Sequence, residues 1–200
     1  MSPLYQFDLK WFRAINIGWH HPVLDVIFAF FSYLGLGGSL ALIAIGLAFF
    51  KATRHYTLPL LATQLLAFFT AQIPKRILAR DRPSILNFAH PQEAAIAYSF
   101  PSGHTTSSFA FAFMLLFLTI RTRKAWIGYS SLVLALLVGL SRIYRGVHWP
   151  SDVIAGVFDG CATAAICYLV LDMFGKIRHP ETVQEVSTDA AAIVEPADKA

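Results

Sequence analysis

Charged side chains are scarce in this sequence. Of its 200 residues, 14% are Asp, Glu, Lys or Arg, whereas 56% are hydrophobic, and the mean hydropathy is +0.56. A soluble domain carries about 25% charged residues to cover its surface, so this composition excludes an ordinary soluble domain. The sequence predicts a protein whose main solvent is the bilayer.

Cysteine is scarce too. Cys161 and Cys167 are the only two, six positions apart in one predicted helix, which puts their Cα atoms about 9 Å apart, too far for a disulfide.

The first 21 residues lack a basic start and a small-residue cleavage site, so we expect no cleavable signal peptide. The basic residues form no continuous stripe, and no nucleic acid partner is predicted.

Long apolar segments dominate the rest. Four of them, 57–74, 103–120, 125–141 and 153–174, have roughly the 20 residues that a bilayer requires. A fifth, 23–50, is interrupted by glycines and is long for one span and short for two. It predicts a short lead-in that dips into the membrane followed by one span, with two short helices as the alternative. The expected fold is all-α, an integral membrane helical bundle with about five transmembrane helices.

The two ends of the chain differ from the middle. In residues 1–22, Leu4, Phe7 and Trp11 alternate with charged positions, which predicts an interfacial amphipathic helix; a helix packed on the end of the bundle is equally compatible. Residues 23–178 form the predicted membrane domain. Residues 179–200 hold five acids and little periodicity, and we expect a disordered acidic tail.

The basic residues between the spans predict an orientation. Lys51 and Arg54, the turn at 121–124 and the segment 176–178 fall on one side, which the positive-inside rule makes cytoplasmic. The opposite side is also rich in Lys and Arg. The rule accommodates these only if they are held in a site, so we expect a site on the outer side.

The first cluster on that side is the basic segment 75–83. Lys75 and Arg82 are seven residues apart, two helical turns, so they can face the same way. Two cations at a dry membrane boundary suit a multiply charged anion, and Arg offers a planar fork for phosphate oxygens. Alone, the segment is more typical of helix-end charges that snorkel to the membrane surface.

The second cluster, 100–104, precedes an apolar run. Ser102 is placed to cap a helix, and Gly103 lets a ligand approach the backbone. The free N–H groups at a helix start favour an anion. His104, in the first turn, can deliver a proton to a leaving group.

The third cluster is 141–152. Pro150 is well placed to open the last helix, His148 lies just before it and Asp152 lies four residues beyond His148. A carboxylate that holds one ring nitrogen leaves the other free as a nucleophile, although such a pair alone is often structural. Together the three clusters supply charge stabilisation, a nucleophile and an acid, which displacement at phosphorus needs.

The order and spacing of these residues resemble a known signature. Lys75 with six residues to Arg82-Pro83, then Pro101-Ser102-Gly103-His104, then Ser141-Arg142 with five residues to His148 and three more to Asp152, look like the three-part motif of the type 2 phosphatidic acid phosphatase (PAP2) superfamily. The resemblance covers residues 57–174.

The resemblance implies a role for each motif residue. His148 would attack phosphorus to form a phosphohistidine, Asp152 would orient it, and His104 would protonate the leaving oxygen. The implied phosphate-binding residues are Lys75, Arg82, Ser102, Gly103 and Arg142. Such enzymes need no metal or other cofactor, and the remaining histidines are scattered in the sequence rather than spaced as ligands.

We therefore predict hydrolysis of a lipid phosphate or diphosphate at the periplasmic or extracellular face of the cell inner (plasma) membrane. Undecaprenyl diphosphate, phosphatidylglycerol phosphate and phosphatidic acid all fit, with the polyprenyl diphosphate first because many cations crowd the site. One alternative is a phosphotransferase that uses a polyprenyl diphosphate donor, and another is a lipid transporter without catalysis. The sequence predicts no oligomeric state.

Other polar residues leave alternatives open. Asp159 lies in the membrane interior and is either functional or hydrogen-bonded to Gln64, Gln72 or the backbone, which we favour. Arg76, Arg80 and Arg145 would meet a second phosphate or anionic headgroups. The apolar connection 83–100 is either a gate for lipid entry or an ordinary surface loop.

Overall fold

A computed structural model describes residues 1–94 and 97–177 of the chain. Seven α-helices make up this part, and no strand occurs in it, as expected for an all-α membrane protein. The helices are α1 Pro3–Phe12, α2 Pro22–Leu34, α3 Gly37–Ala48, α4 Thr57–Leu78, α5 Gly103–Thr119, α6 Ala125–Tyr144 and α7 Pro150–Met173. The predicted tail, 179–200, lies outside the described residues.

Helix α5 lies at the centre of the bundle. It packs on α4, α6 and α7, and nearly all of its side chains from Thr105 to Leu116 are buried. The small-residue face of α7 makes close packing possible, because an added Cβ would lie 2.9 Å from the Ser102 carbonyl oxygen at Gly156 and 2.7 Å from that of Thr106 at Gly160. These close approaches give the two glycines a structural role in the packing of α7 on α5.

Fewer helices are long enough to cross a membrane than the sequence suggested. Among the described residues, three helical segments are long and apolar enough to cross a bilayer, Arg54–Leu78, Ala125–Tyr144 and Pro150–Met173. The pair α2 and α3, bent by 62° at its break, makes a fourth if it counts as one span. Helix α5, the remaining predicted span, has only 17 residues, so the figure of about five stays a prediction.

Residues 23–50 form the second of the two expected arrangements. Helices α2 and α3 have 13 and 12 residues, so neither is a full span, and a lead-in followed by one long helix is not what the structure shows. The break at Gly35 coincides with close packing on α6, where an added Cβ would lie 2.2 Å from Val138. A side chain at this position would push α2 away from the bundle.

The N-terminal helix has two apolar faces. Phe12 and Ile15 are buried in a cluster with Tyr144 and Trp149, so α1 and the single π-helical turn after it pack on the bundle. Leu4, Phe7 and Trp11 remain exposed on the other face, as an interfacial helix requires. The two predicted placements therefore apply to opposite faces of one helix.

The three motif clusters meet at one end of the bundle. This site end comprises the C-termini of α4 and α6, the N-termini of α5 and α7, and the connections 79–102 and 145–149. The opposite, far end carries the turn between α5 and α6 and the termini marked by Lys51, Arg54 and Lys176, whose side chains are exposed.

Candidate active site

A cavity of about 670 Å³ opens at the site end. Six of the eight predicted site residues line it: Lys75, Arg82, Gly103, His104, Arg142 and His148. The remaining two, Ser102 and Asp152, are fully buried beside it. Three distant stretches of chain therefore converge as the motif spacing required, although the role of each residue remains a prediction.

His148 lies between an acid and a cation. Its Nδ1 is 3.5 Å from Asp152 Oδ2, and its Nε2 is 3.4 Å from a terminal nitrogen of Arg82. Burial, with further contributions from the positive charges of Arg82, Arg142 and Lys75, lowers the pKa of the His148 ring well below its usual value. The ring is therefore neutral at neutral pH, and Nε2 carries a lone pair toward the cavity when Nδ1 holds the proton.

The local sequence at the start of α7 determines how the Asp152 carboxylate is oriented. Trp149 is extended at the N-cap of α7, Pro150 follows at the first helical position, and Asp152 lies three residues after the cap. Its Oδ2 accepts the Trp149 backbone N–H at 2.8 Å, which satisfies one of the unpaired donors of a helix start. The same oxygen faces His148, so the helix cap sets the direction of the carboxylate.

The cations of the first cluster also hold the loops in place. Lys75 Nζ donates to the Pro101 carbonyl at 2.5 Å, directly before α5. Arg82 donates to the Val147 carbonyl at 3.0 Å and to the carbonyls of Ala97 and Tyr98. Burial, followed by the charge of Arg142, lowers the pKa of Arg82, and the carboxylates of Asp152 and Glu93 oppose this shift only in part.

Glu93 is a site residue that sequence reasoning missed. Its carboxylate accepts hydrogen bonds from both terminal nitrogens of Arg142 and from Arg145 Nε, and it lines the cavity. Burial alone would raise its pKa, but the hydrogen bonds and charges of Arg142 and Arg145 outweigh burial, and the net pKa is lowered. The only signal in the sequence was its isolation, as the one acid in a connection otherwise free of acids between 83 and 100.

The contacts of Ser102 differ from its predicted role as a helix cap and phosphate-binding residue. It occupies the N-cap position of α5, but its side chain makes no capping bond. The hydroxyl accepts from Thr105 Oγ1 at 2.9 Å, the backbone N–H donates to the Asp152 carbonyl at 3.0 Å, and the residue does not line the cavity. In this arrangement Ser102 ties α5 to α7, and Gly103 forms the wall instead.

Two of the three extra arginines have carboxylate partners. Arg80 bonds to Asp8 and Asp152, each at 2.6 Å, and Arg145 bonds to Glu93. These guanidinium groups are already paired with carboxylates, and the expectation that Arg80 and Arg145 meet a second phosphate or headgroups stays a prediction. Arg76 is exposed, as expected for a snorkelling side chain.

Asp159 is hydrogen-bonded, as favoured, but by other partners. Its Oδ2 accepts from Thr70 at 3.3 Å and from Thr106 at 3.1 Å, so Gln64 and Gln72 are not its donors. Threonine hydroxyls on neighbouring helices satisfy the acid within the bundle. The residue joins α4, α5 and α7 away from the cavity.

Comparison with known proteins decides the family. A model described as PAP2 superfamily matches residues 56–176, more than half of the chain and all three clusters. The chain belongs to the PAP2 superfamily. The predicted resemblance is confirmed, and the PAP2 match begins near the start of α4, so α1 to α3 lie outside it.

Named relatives and solved structures agree with this PAP2 assignment. An undecaprenyl-diphosphatase of Sulfolobus acidocaldarius is 32% identical over 154 residues, which cover 75% of this chain and 71% of the relative. The crystal structure of Aquifex aeolicus LpxE is 33% identical, with a TM-score of 0.70, and the match covers 80% of this chain and 94% of that one. A Bacillus subtilis PAP2-type phosphatidylglycerolphosphate phosphatase, 24% identical with a TM-score of 0.70 and 90% coverage of both chains, shows the shared fold.

Proposed function

We propose that this PAP2 protein hydrolyses a lipid phosphate or diphosphate through a phosphohistidine on His148, at the outer face of the inner (plasma) membrane and without a metal. The observation that carries the proposal is the composition of one cavity. Its polar end holds the two histidines and three cations of the motifs, and its other end is lined by α3 and α4 with residues that are apolar except for Gln64 and Gln72.

The apolar end suits a lipid tail. Gly37, Gly38 and Ala41 of α3 form one wall, and Leu65 and Phe68 of α4 form another. A lipid could keep its chain in the bilayer between these helices while its phosphate reaches the polar end. Lateral entry therefore depends on α3 and α4 more than on the connection 83–100, whose Ile85 is exposed while Leu86 and Phe88 pack on the bundle.

The chemistry divides into two displacements. His148 Nε2 forms a bond to phosphorus as the bond from phosphorus to the leaving oxygen breaks, and His104 gives that oxygen its proton. Water then attacks the phosphohistidine, His104 accepts a proton from the water, and inorganic phosphate leaves as the phosphorus–nitrogen bond breaks. Lys75, Arg82 and Arg142 stabilise the charge on the equatorial oxygens in both steps.

The structure changes the argument about substrate. Because Arg80 and Arg145 are paired with carboxylates, crowding of cations no longer favours a diphosphate. The preference for undecaprenyl diphosphate over phosphatidylglycerol phosphate and phosphatidic acid now depends on relatives named undecaprenyl-diphosphatase. All three substrates share a phosphate that enters the polar end and a hydrocarbon chain.

The charges at the far end predict which end of the bundle faces the cytoplasm. Exposed Lys51, Arg54, Arg121, Arg123 and Lys124 lie there, and positive residues in short connections favour the cytoplasm. The site end then faces the periplasm or the exterior. A substrate formed on that face would reach the cavity without crossing the membrane.

Phosphoenzyme trapping tests the proposal. Purified protein in detergent with EDTA is mixed with undecaprenyl diphosphate labelled in the terminal phosphate and quenched in alkali, where phosphohistidine persists. We expect label on the wild type and on His90→Ala, whose ring stacks on His20 outside the cavity, and none on His148→Ala. Hydrolysis without label on the wild type would contradict the mechanism, and activity abolished by EDTA would contradict metal independence.

The same preparation separates the alternatives. A phosphotransferase would form a phosphorylated lipid when an acceptor lipid is added, whereas a hydrolase releases inorganic phosphate. A transporter without catalysis would release no phosphate and would lose little lipid binding in His148→Ala.

A further inference from the structure

Asp8, on the N-terminal helix, is wholly buried although it lies outside the PAP2 match and outside all three motifs. It shares a face of α1 with Tyr5 and Phe12, and these two rings contact the Trp149 ring at 5.8 and 5.5 Å between centroids. A buried acid without partners is costly. Its partners therefore indicate why an acid occupies this position.

Those partners belong to the site. Asp8 Oδ1 accepts the Ser151 backbone N–H at 2.8 Å, and Oδ2 accepts the Ser151 hydroxyl at 2.7 Å. Oδ2 also accepts a hydrogen bond from a terminal nitrogen of Arg80 at 2.6 Å. Since Ser151 is in the first turn of α7, Asp8 satisfies from another helix a donor that α7 itself leaves unpaired.

Arg80 carries the connection to the catalytic pair. Its second terminal nitrogen donates to Asp152 Oδ1 at 2.6 Å, while Asp152 Oδ2 is held by the Trp149 N–H and faces His148. Arg80 thus fixes one carboxylate oxygen and leaves the other for the imidazole. Its guanidinium lies over the Trp149 ring, 5.6 Å from the centroid.

We propose that Asp8 is a positioning residue of the reaction, which holds Arg80 and Ser151 so that the Asp152 carboxylate stays aligned with His148. This inference rests on the proposed function of His148. The carboxylate of Asp8 also shares the charge of Arg80. Without that sharing, the whole cation would act on Asp152 and weaken its support of the positive charge that the His148 ring gains as phosphohistidine forms.

Asp8→Asn tests the proposal, since it keeps the shape and removes the charge. Rapid-quench labelling gives the amplitude of the phosphohistidine burst, which counts competent sites, and its rate, which reports alignment. We expect a normal amplitude, a rate about 10-fold to 100-fold lower, as outer partners of reactive groups typically contribute, and an unchanged KM. Asp172→Asn, near the other end of α7, is the control and should match the wild type.

A merely structural role predicts a different result. In that case the amplitude of Asp8→Asn would fall with the fraction of folded protein while the rate stayed normal, and this outcome, like a wild-type rate and amplitude, would overturn the proposal. Absence of any burst in the wild type would instead refute the proposed function. If Asp8→Asn does not fold, Arg80→Lys decides, because one ammonium group cannot reproduce the two-ended contact; a wild-type rate there overturns the proposal.

A double variant tests the route. If Asp8 acts through Arg80, Asp8→Asn combined with Arg80→Gln should be no slower than Arg80→Gln alone. Rate losses that multiply would show that Asp8 acts independently of Arg80 and would contradict the proposed route.

Discussion

The two ends of the bundle carry similar numbers of cations under different conditions. At the site end Lys75, Arg142 and Arg145 are 7%, 2% and 6% exposed, and each arginine has a carboxylate partner. At the far end the cations of the 121–124 turn are exposed. Charge at the far end interacts with water and headgroups, whereas charge at the site end has lost its hydration.

This difference shows what distinguishes a binding site from a topological signal. Exposed cations need no partners and cost little, so their number alone orients the chain. Buried cations require compensation, which the carboxylates of Asp8, Glu93 and Asp152 supply.

Removing a buried cation should have the largest effect. Arg142→Ala deletes a guanidinium from the cavity wall and should lower kcat/KM for lipid phosphate about 100-fold to 1,000-fold, as loss of a preorganised charge-stabilising group does. Arg123→Ala at the far end should leave kcat/KM unchanged. Equal losses in the two variants, measured on protein with matched thermal unfolding, would remove the distinction between the ends.

Removing the carboxylate of Glu93, which compensates the charge of Arg142, should strengthen anion binding rather than weaken it. Glu93→Gln frees Arg142 from a competing carboxylate, so vanadate, an oxyanion, should inhibit about 10-fold more tightly, within the strength of a charge-assisted hydrogen bond. Asp81→Asn removes the same charge from an exposed position at the same end and serves as the control. Unchanged vanadate inhibition in Glu93→Gln would show that the carboxylate does not compete with the anion.

Acidification should leave His148 neutral over a wide range. Burial and the three cations lower its pKa well below 6.5, so the neutral nucleophile persists as the pH falls through 6.5 and is lost only at more acidic pH. Nitrogen-15 NMR of histidine-labelled protein without phosphate, assigned with His148→Gln, measures this. A ring that becomes protonated near or above pH 6.5 would mean that the surrounding cations do not act on it.

Neutralising the far end should not affect catalysis. Replacing Arg121, Arg123 and Lys124 with Gln should keep kcat/KM within about twofold of the wild type, while weakening the charge bias that orients the chain. Accessibility of a cysteine placed in the 121–124 turn, probed from the outside of intact cells, reports the inverted fraction. A lower kcat/KM of correctly inserted protein would indicate coupling between the two ends.

Residue spacing predicted the cavity because each motif lies at a helix end with a defined direction. His148 and Asp152, on either side of a Pro-opened helix, are related by local geometry that a sequence can indicate. The two-turn helical relation predicted for Lys75 and Arg82 is wrong, because α4 ends at Leu78 with Ala79 in the left-handed region, and the connection after α4 brings Arg82 to the cavity. The family resemblance then assigned roles that spacing alone left open, and the PAP2 match confirmed the family. The compensating acids could not be predicted in this way.

Asp8 and Glu93 pair with residues 49 or more positions away, and no periodicity links them to their partners. A possible signal for Asp8 was its spacing from Tyr5 and Phe12, which puts an acid on an apolar helix face. The long sequence separation also explains Arg80 and Arg145, whose ion pairs with carboxylates cannot be distinguished in sequence from exposure to headgroups. It also explains Asp159, whose threonine donors lie on two other helices.

The short central helix sets the depth at which the reaction occurs. By length, a 17-residue α5 is about 5 Å shorter than the 20-residue α6 to which a short turn joins it at the far end. Gly103 and His104, which line the cavity, are the first two residues of this shorter helix. Under the proposed function, a headgroup would descend toward the hydrocarbon to react, so a phosphate anchored by a chain would arrive at the correct height, whereas a water-soluble phosphate ester would have to leave bulk solvent unaided.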